Sequence, residues 1–237
     1  MNIKFIPANI LAWLLITLSI PAGANEAINA VKLVYQEQEE GVDTYLVTFT
    51  VSSDFLRIDD ESDGSGYIVF DIGKNKIYSV SHFDKSILVI AQYPETKHNP
   101  DFEIAIEYQA LENAPMISGK QVYNYRVKVI AGDKSDTCMD IQLVPGLLPE
   151  VSKTLQSFQK IISGQHVNGL KKTPEEYQTP CYLVDQVYNK GDYYSKGLPI
   201  QEYHSNEKRR QLMNFEAAEV DASIFDIPDE YRQYSLK

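Results

Sequence analysis

The sequence predicts an α+β protein in which an antiparallel sheet packs against one main helix. Three observations support this fold class: many short segments have strand-like patterns, one amphipathic helix interrupts them, and the only two cysteines bracket that helix. The helix signal is a recurrence of Val151, Leu155, Phe158 and Ile162 at spacings of four, three and four, which places them on one face. Pro149 and Gly164 mark the ends of this helix, which needs an apolar surface that the strands must supply.

Residues 1–24 have the pattern of a secretory signal peptide. Lys4 precedes an apolar run over residues 10–20, which is too short to span the hydrocarbon core of a membrane. Small residues close the segment, so we expect cleavage after Ala24, with Ala27 or Ala30 as alternatives. The remaining chain should be periplasmic or secreted and should not span a membrane.

Residues 25–237 are expected to form a single domain with a helical insertion at about residues 145–191. A short second helix in this insertion should begin at Thr179 and Pro180 and end near Gly191. The chain should end in an exposed C-terminus. Strands are predicted over residues 45–51, 55–59, 67–72, 76–81, 86–93, 102–109, 123–129, 139–144, 197–204 and 208–220.

Two of these segments, residues 102–109 and 123–129, have one apolar and one polar face. Glu103 and Glu107 on the first segment and Arg126 and Lys128 on the second would lie opposite each other if the segments paired. We therefore expect these two strands to be neighbours in the sheet.

The charge and the cysteines limit the partners of this protein. The formal net charge is −11, and nucleic acid is excluded as a partner because phosphate binding needs a basic surface.

Cys138 and Cys181 predict one disulfide in an exported chain. The alternative is a metal or redox pair, which would need another Cys or His within a few residues of each, and neither has one. We expect no metal and no cofactor.

The sequence contains no catalytic constellation, so we do not expect an enzyme. The basic cluster at residues 208–210 is interpreted as an exposed strand end, with an anionic headgroup or an acidic partner as the alternative. The four histidines lie in separate segments and should be surface residues; they are His82, His98, His166 and His204.

Two groups of short motifs resemble those of periplasmic proteins with the lipoprotein-localisation-factor fold, the group that contains LolA and LolB. The first group is FLRI at residues 55–58, YIVFD at 67–71 and KIY at 76–78. The second is GLPI at residues 197–200 and DASIFDIP at 221–228, with Tyr231 after it. The resemblance implies an open half-barrel, a strongly curved antiparallel sheet with one or two helices packed in its concave face. Members of this group carry lipids or lipoproteins through the periplasm.

We therefore expect a soluble periplasmic binding or carrier protein for an apolar ligand, such as a lipid acyl chain or a lipoprotein. The alternative is a non-enzymatic module of the envelope with a filled core that binds a protein partner. The ligand would contact apolar residues that face the hollow of the sheet and the helix above it. These residues are Tyr45, Val47, Phe49, Phe102, Ile104, Ile106, Tyr125, Val127, Phe158 and Ile162.

Overall fold

A computed structural model describes residues 26–60, 64–93 and 100–236. The predicted signal peptide lies outside these residues. The described residues contain two α-helices, α1 (Pro149–Gly169) and α2 (Pro180–Leu183). The twelve strands in the described part of the chain are β1 (Ala27–Gln38), β2 (Tyr45–Val51), β3 (Phe55–Asp60), β4 (Gly66–Asp71), β5 (Lys76–Ser81), β6 (Ser86–Ala91), β7 (Glu103–Ala110), β8 (Tyr123–Ala131), β9 (Lys134–Val144), β10 (Leu198–His204), β11 (Arg209–Asp221) and β12 (Arg232–Ser235).

All twelve strands lie in one open sheet, in the order β12-β6-β5-β4-β3-β2-β1-β11-β10-β9-β8-β7. Two antiparallel meanders, β1 to β6 and β7 to β11, join where β1 pairs with β11. Only β12 runs parallel to its neighbour, β6. The predicted α+β class, with a large and mostly antiparallel sheet and two helices, is confirmed.

Each of the ten predicted strand segments corresponds to a strand of the sheet, from β2 to β11. The predicted pairing of residues 102–109 with residues 123–129 is also confirmed by β7 and β8. In that pair Glu107 lies opposite Arg126, and Lys128 Nζ lies 2.5 Å from Glu107 Oε1.

The helical insertion begins as predicted but is longer and less regular. α1 continues past Gly164 to Gly169, since a glycine inside a helix costs only about 1 kcal/mol relative to alanine. α2 begins after Thr179, whose hydroxyl accepts a hydrogen bond from the N–H of Tyr182, and it passes into one turn of π-helix over Val184–Tyr188. No helix among the described residues is long and apolar enough to cross a membrane.

α1 packs against one face of the sheet, which we call the helix-covered face. The Phe158 ring of α1 lies 6.0 Å from the ring of Phe70 on β4, and α1 also contacts β5, β6 and β10. Val151 and Leu155 are 3% and 2% exposed, so the predicted apolar stripe of this helix faces the core. The same face of β1 carries the buried Leu33 and Tyr35, as the alternation of a strand requires.

The C-terminal segment covers part of the opposite face. Phe225 is buried and stacks on Phe55 of β3, with ring centroids 5.4 Å apart. The Arg57 guanidinium donates a hydrogen bond to the carbonyl of Ile224 and lies 3.8 Å from the centre of the Tyr67 ring. Beyond this segment the residues of β12 are exposed, as expected for the C-terminus.

The sheet is interrupted on one side of β11. The ladder between β10 and β11 has three pairs and ends at Gln201 opposite Gln211. Beyond it, residues 212–220 pair only with β1 among the described residues. The registers shift between Val34 and Tyr35 on β1 and between Pro199 and Gln201 on β10, so the strands diverge at this point.

Candidate ligand-binding site

An open groove lies between the first turns of α1 and the adjoining ends of β1, β2 and β11. We call it the α1 groove. Its volume is about 1000 Å³, at the upper end of the range for ligand pockets in proteins. Its lining residues are Ala27, Ile28, Asn29, Ala30, Val31, Val51, Ser52, Ser53, Glu150, Val151, Thr154, Ala217, Ala218 and Glu219.

Small side chains create this space. Ala27 on β1 and Ala217 on β11 contribute small side chains to the lining, while Val31, Val51 and Val151 give the groove apolar surface. The polar groups near them include two carboxylates, Glu150 and Glu219, and no lysine or arginine lines the groove. This arrangement can hold an apolar chain, and its charge favours cationic over anionic head groups.

A buried network of charged residues lies at the opposite end of β1. We call it the Glu202 network, and its members are Glu37, Asp185, Glu202, His204 and Arg210. The Arg210 guanidinium lies 2.7 Å from Glu37 Oε1 and 3.5 Å from Glu202 Oε1. His204 lies 2.9 Å from Asp185 Oδ1 through Nδ1 and 3.4 Å from Glu202 Oε2 through Nε2.

The network holds the irregular helical segment against the sheet. Asp185 belongs to the π-helical turn, whereas His204 and Glu202 lie on β10, so their contacts join the two elements. The Tyr193 hydroxyl donates a hydrogen bond to Glu202 Oε2 at 3.4 Å, and the disulfide between Cys138 and Cys181 ties β9 to α2. The predicted disulfide is thus present, and it is consistent with an oxidising compartment.

Burial and pairing act in opposite directions on the titratable groups of this network. Burial alone would raise the pKa of Glu202, but Arg210 and the hydrogen bond from His204 lower it to about 2. Burial alone would lower the pKa of His204, but hydrogen bonds to Asp185 and Glu202 raise it to about 9. At neutral pH the network therefore contains an ionised Glu202 and a protonated His204.

The protein should lose stability as the pH rises from about 6.5 to about 9. The unfolded state releases the proton of His204 near its ordinary pKa of about 6.5, while the folded state retains it up to about 9. The stabilisation is complete below the lower value and lost above the upper one. It amounts to on the order of 3 kcal/mol. Urea unfolding at a series of pH values measures it.

His204→Gln is the control for this pH dependence, since glutamine retains a side-chain donor but does not titrate. The variant should show a flat free energy of unfolding between pH 6.5 and 9. If the free energy of unfolding of the variant fell by the same amount between pH 6.5 and 9, the assignment of the pH dependence to His204 would be wrong.

The network was not recognised in the sequence, and two expectations about it are wrong. His204 was expected at the surface, but its side chain is 8% exposed. Arg210 was expected at an exposed strand end, but its side chain is 16% exposed. A signal did exist: Glu37 follows Leu33 and Tyr35 with a period of two, which places it on the buried face of β1.

The remaining histidines differ from one another in position. His82 is exposed and its Nδ1 lies 2.9 Å from the Tyr231 hydroxyl. His166 is partly buried, and burial lowers its pKa. His98 lies outside the described residues. No group of three or more metal-ligating side chains comes together in the described parts of the chain.

None of the ten predicted ligand-binding residues is in the lining of the α1 groove. Four of them are buried in the core: Val47, Phe49, Tyr125 and Val127. Five others are partly buried against the core: Tyr45, Phe102, Ile104, Phe158 and Ile162. Ile106 is 55% exposed on β7, at the edge of the sheet. Sequence reasoning selected large side chains, whereas the groove exists where the side chains are small.

The fold and the groove together define an α+β protein with a large open sheet and an apolar groove beside its main helix. No protein-family model and no curated protein matches the sequence. Two solved structures of PNGF-II, in the C2 and P21 space groups, align over 88% of this chain with 9% and 8% identity and TM-scores of 0.39 and 0.42. The chain spans 31% and 32% of those chains, and the similarity is too low to carry an argument about function.

Proposed function

We propose that this protein is a periplasmic binding or carrier protein that holds the acyl chain of a lipid or lipoprotein in the α1 groove. The observation that carries the proposal is the groove itself, an open space of about 1000 Å³ with an apolar lining next to an amphipathic helix. The hydrophobic effect stabilises an acyl chain there by about 0.8 kcal/mol for each buried methylene. No protein group has to react with the ligand.

A half-barrel shape of the sheet is part of this proposal. α1 contacts β5 and β6 on one side of the sheet order and β10 on the other, which supports a sheet curved around the helix. Such curvature would leave the first turns of α1 at the open end, where the ligand enters. The disulfide supports an oxidising compartment, and the periplasm is the compartment that we propose.

Filling the groove should abolish acyl binding. In Ala217→Trp an indole would occupy the space that the chain needs, and we expect the affinity for a fluorescent palmitate analogue, used as an uncharged ester, to fall by about tenfold or more, which corresponds to about 1.4 kcal/mol. Fluorescence titration measures the affinity. Native mass spectrometry of protein purified without detergent should show the lipid on the unmodified chain and not on the variant.

Ala131→Trp is the matched control, because Ala131 is exposed at the end of β8 and is not in the lining of the groove. It should bind like the unmodified protein. Thermal unfolding of both variants verifies that they fold. Unchanged affinity in Ala217→Trp would exclude the α1 groove as the acyl site.

The alternative function, a module that binds a protein partner, has one observation in its favour. β7 is an edge strand on which Ile106 and Tyr108 are 55% and 40% exposed, and an exposed edge can pair with another chain. A purified protein that carries no lipid and takes up no palmitate analogue would favour this alternative.

A further inference from the structure

β11 has a free backbone edge within the sheet. Its pairing with β10 ends at Gln211, and residues 212–220 pair only with β1 among the described residues. In a strand, successive residues direct their backbone N–H and C=O groups to opposite sides. About four of these nine residues therefore point an unpaired N–H and an unpaired C=O away from β1. Backbone groups of this kind bind a strand or water.

Two cavities adjoin this edge. The α1 groove adjoins residues 217–219, and a second cavity of about 450 Å³ adjoins Leu212, Met213 and Phe215. Nine residues of strand extend over about 30 Å, and neighbouring strands need a separation of about 4.8 Å. The two cavities adjoin different parts of this nine-residue edge, residues 217–219 and residues 212–215.

We propose that β11 binds an extended, basic polypeptide segment by strand addition to the edge at residues 212–220. Strand addition to a free edge is a common mode of peptide recognition, in which main-chain hydrogen bonds give affinity and pockets for alternate side chains give specificity. Here the α1 groove receives apolar side chains at alternate positions of the segment.

The charge of the edge selects the occupant. Glu150 and Glu219 line the groove, and the chain carries a net charge of −11, so Lys or Arg side chains on the segment find complementary charge. A second copy of this chain would bring like charge to the same edge. An acyl chain has no backbone groups that could pair with this edge. The strand-binding site is therefore distinct from the proposed lipid site, and it does not depend on lipid binding.

The test uses the full mature chain and synthetic peptides of about eight residues, the length that the edge accommodates. In one peptide, valine and lysine take turns at every second position with serine between them, so that both types point to the face of the groove, and in a second peptide glutamate replaces lysine. Isothermal titration should show that the lysine peptide binds about tenfold or more tightly than the glutamate peptide. Hydrogen exchange should slow at alternate amides of residues 212–220 when the lysine peptide is bound.

Two controls separate strand addition from other binding. The lysine peptide can be methylated on either of two alternating sets of backbone nitrogens. Methylation of the nitrogens that face β11 should abolish binding, whereas methylation of the other set should not. Glu219→Gln should weaken the lysine peptide, whereas Glu216→Gln, on the other face of the same strand, should not.

The proposal is overturned if no lysine peptide binds, if both methylated sets bind alike, or if the protected amides lie on β7 instead of β11. Ala217→Trp separates this proposal from the lipid site. Loss of palmitate binding with retained amide protection along residues 212–215 would leave strand addition standing alone. Palmitate binding without any peptide binding would leave only the acyl carrier.

Discussion

Replacing Arg210 with alanine should lower the free energy of unfolding by about 3–5 kcal/mol. Arg210 is the only cation that contacts both Glu37 and Glu202 in the described structure, and both carboxylates are less than 10% exposed. Without the guanidinium two negative charges would remain buried with too few partners. Urea denaturation at pH 7 measures the loss.

Arg209→Ala is the matched control, since Arg209 precedes Arg210 on the same strand and is exposed. A surface change of this kind should alter the free energy of unfolding by no more than about 0.5 kcal/mol. Equal losses in the two variants would show that the Glu202 network contributes nothing specific. Adding Glu202→Gln to Arg210→Ala should recover part of the loss, because one of the unpaired charges is then gone.

Removing the disulfide should cost about 4 kcal/mol of stability. The Cys138–Cys181 bond closes a loop with a sequence separation of 43 residues, and restricting such a loop in the unfolded chain stabilises the folded state by about this amount. The variant Cys138→Ala/Cys181→Ala tests this, with alanine chosen because Cys138 is buried. Thermal and urea unfolding give the difference.

Reduction provides the internal control for this prediction. Dithiothreitol should destabilise the unmodified protein to a similar extent and leave the double variant unchanged. A reduced protein as stable as the oxidised one would contradict the prediction, and it would mean that His204, Asp185 and the core contacts of Val184 and Val187 alone hold the helical segment.

The predictions separate stability from ligand binding. Arg210 and the cysteines lie away from the α1 groove, so variants that still fold should retain palmitate binding. Ala217→Trp should do the reverse and lose binding while keeping its fold. This division places the network and the disulfide at one end of the molecule as structural supports, and the groove at the other as the site of ligand contact.

The sequence by itself determined most of the elements, namely ten of the twelve described strands and α1. Alternation over residues 45–51, 102–109 and 123–129 predicted strands that the structure contains, because a strand with one buried face must alternate. The apolar stripe that includes Val151 and Leu155 predicted α1, because a helix with one buried face repeats its apolar residues with the period of the helix. Two cysteines in a chain with a signal-like N-terminus allowed one pairing, and that pairing is present.

Only the tertiary structure decided where the space and the charges lie. The α1 groove depends on the strand order that brings β1 and β11 together and on small residues such as Ala27 and Ala217, and small residues give no periodic signal. The Glu202 network joins residues separated by up to 173 positions, Glu37 and Arg210, through the same strand order. Local patterns specify which face of an element is buried, whereas long-range pairing specifies what that face meets.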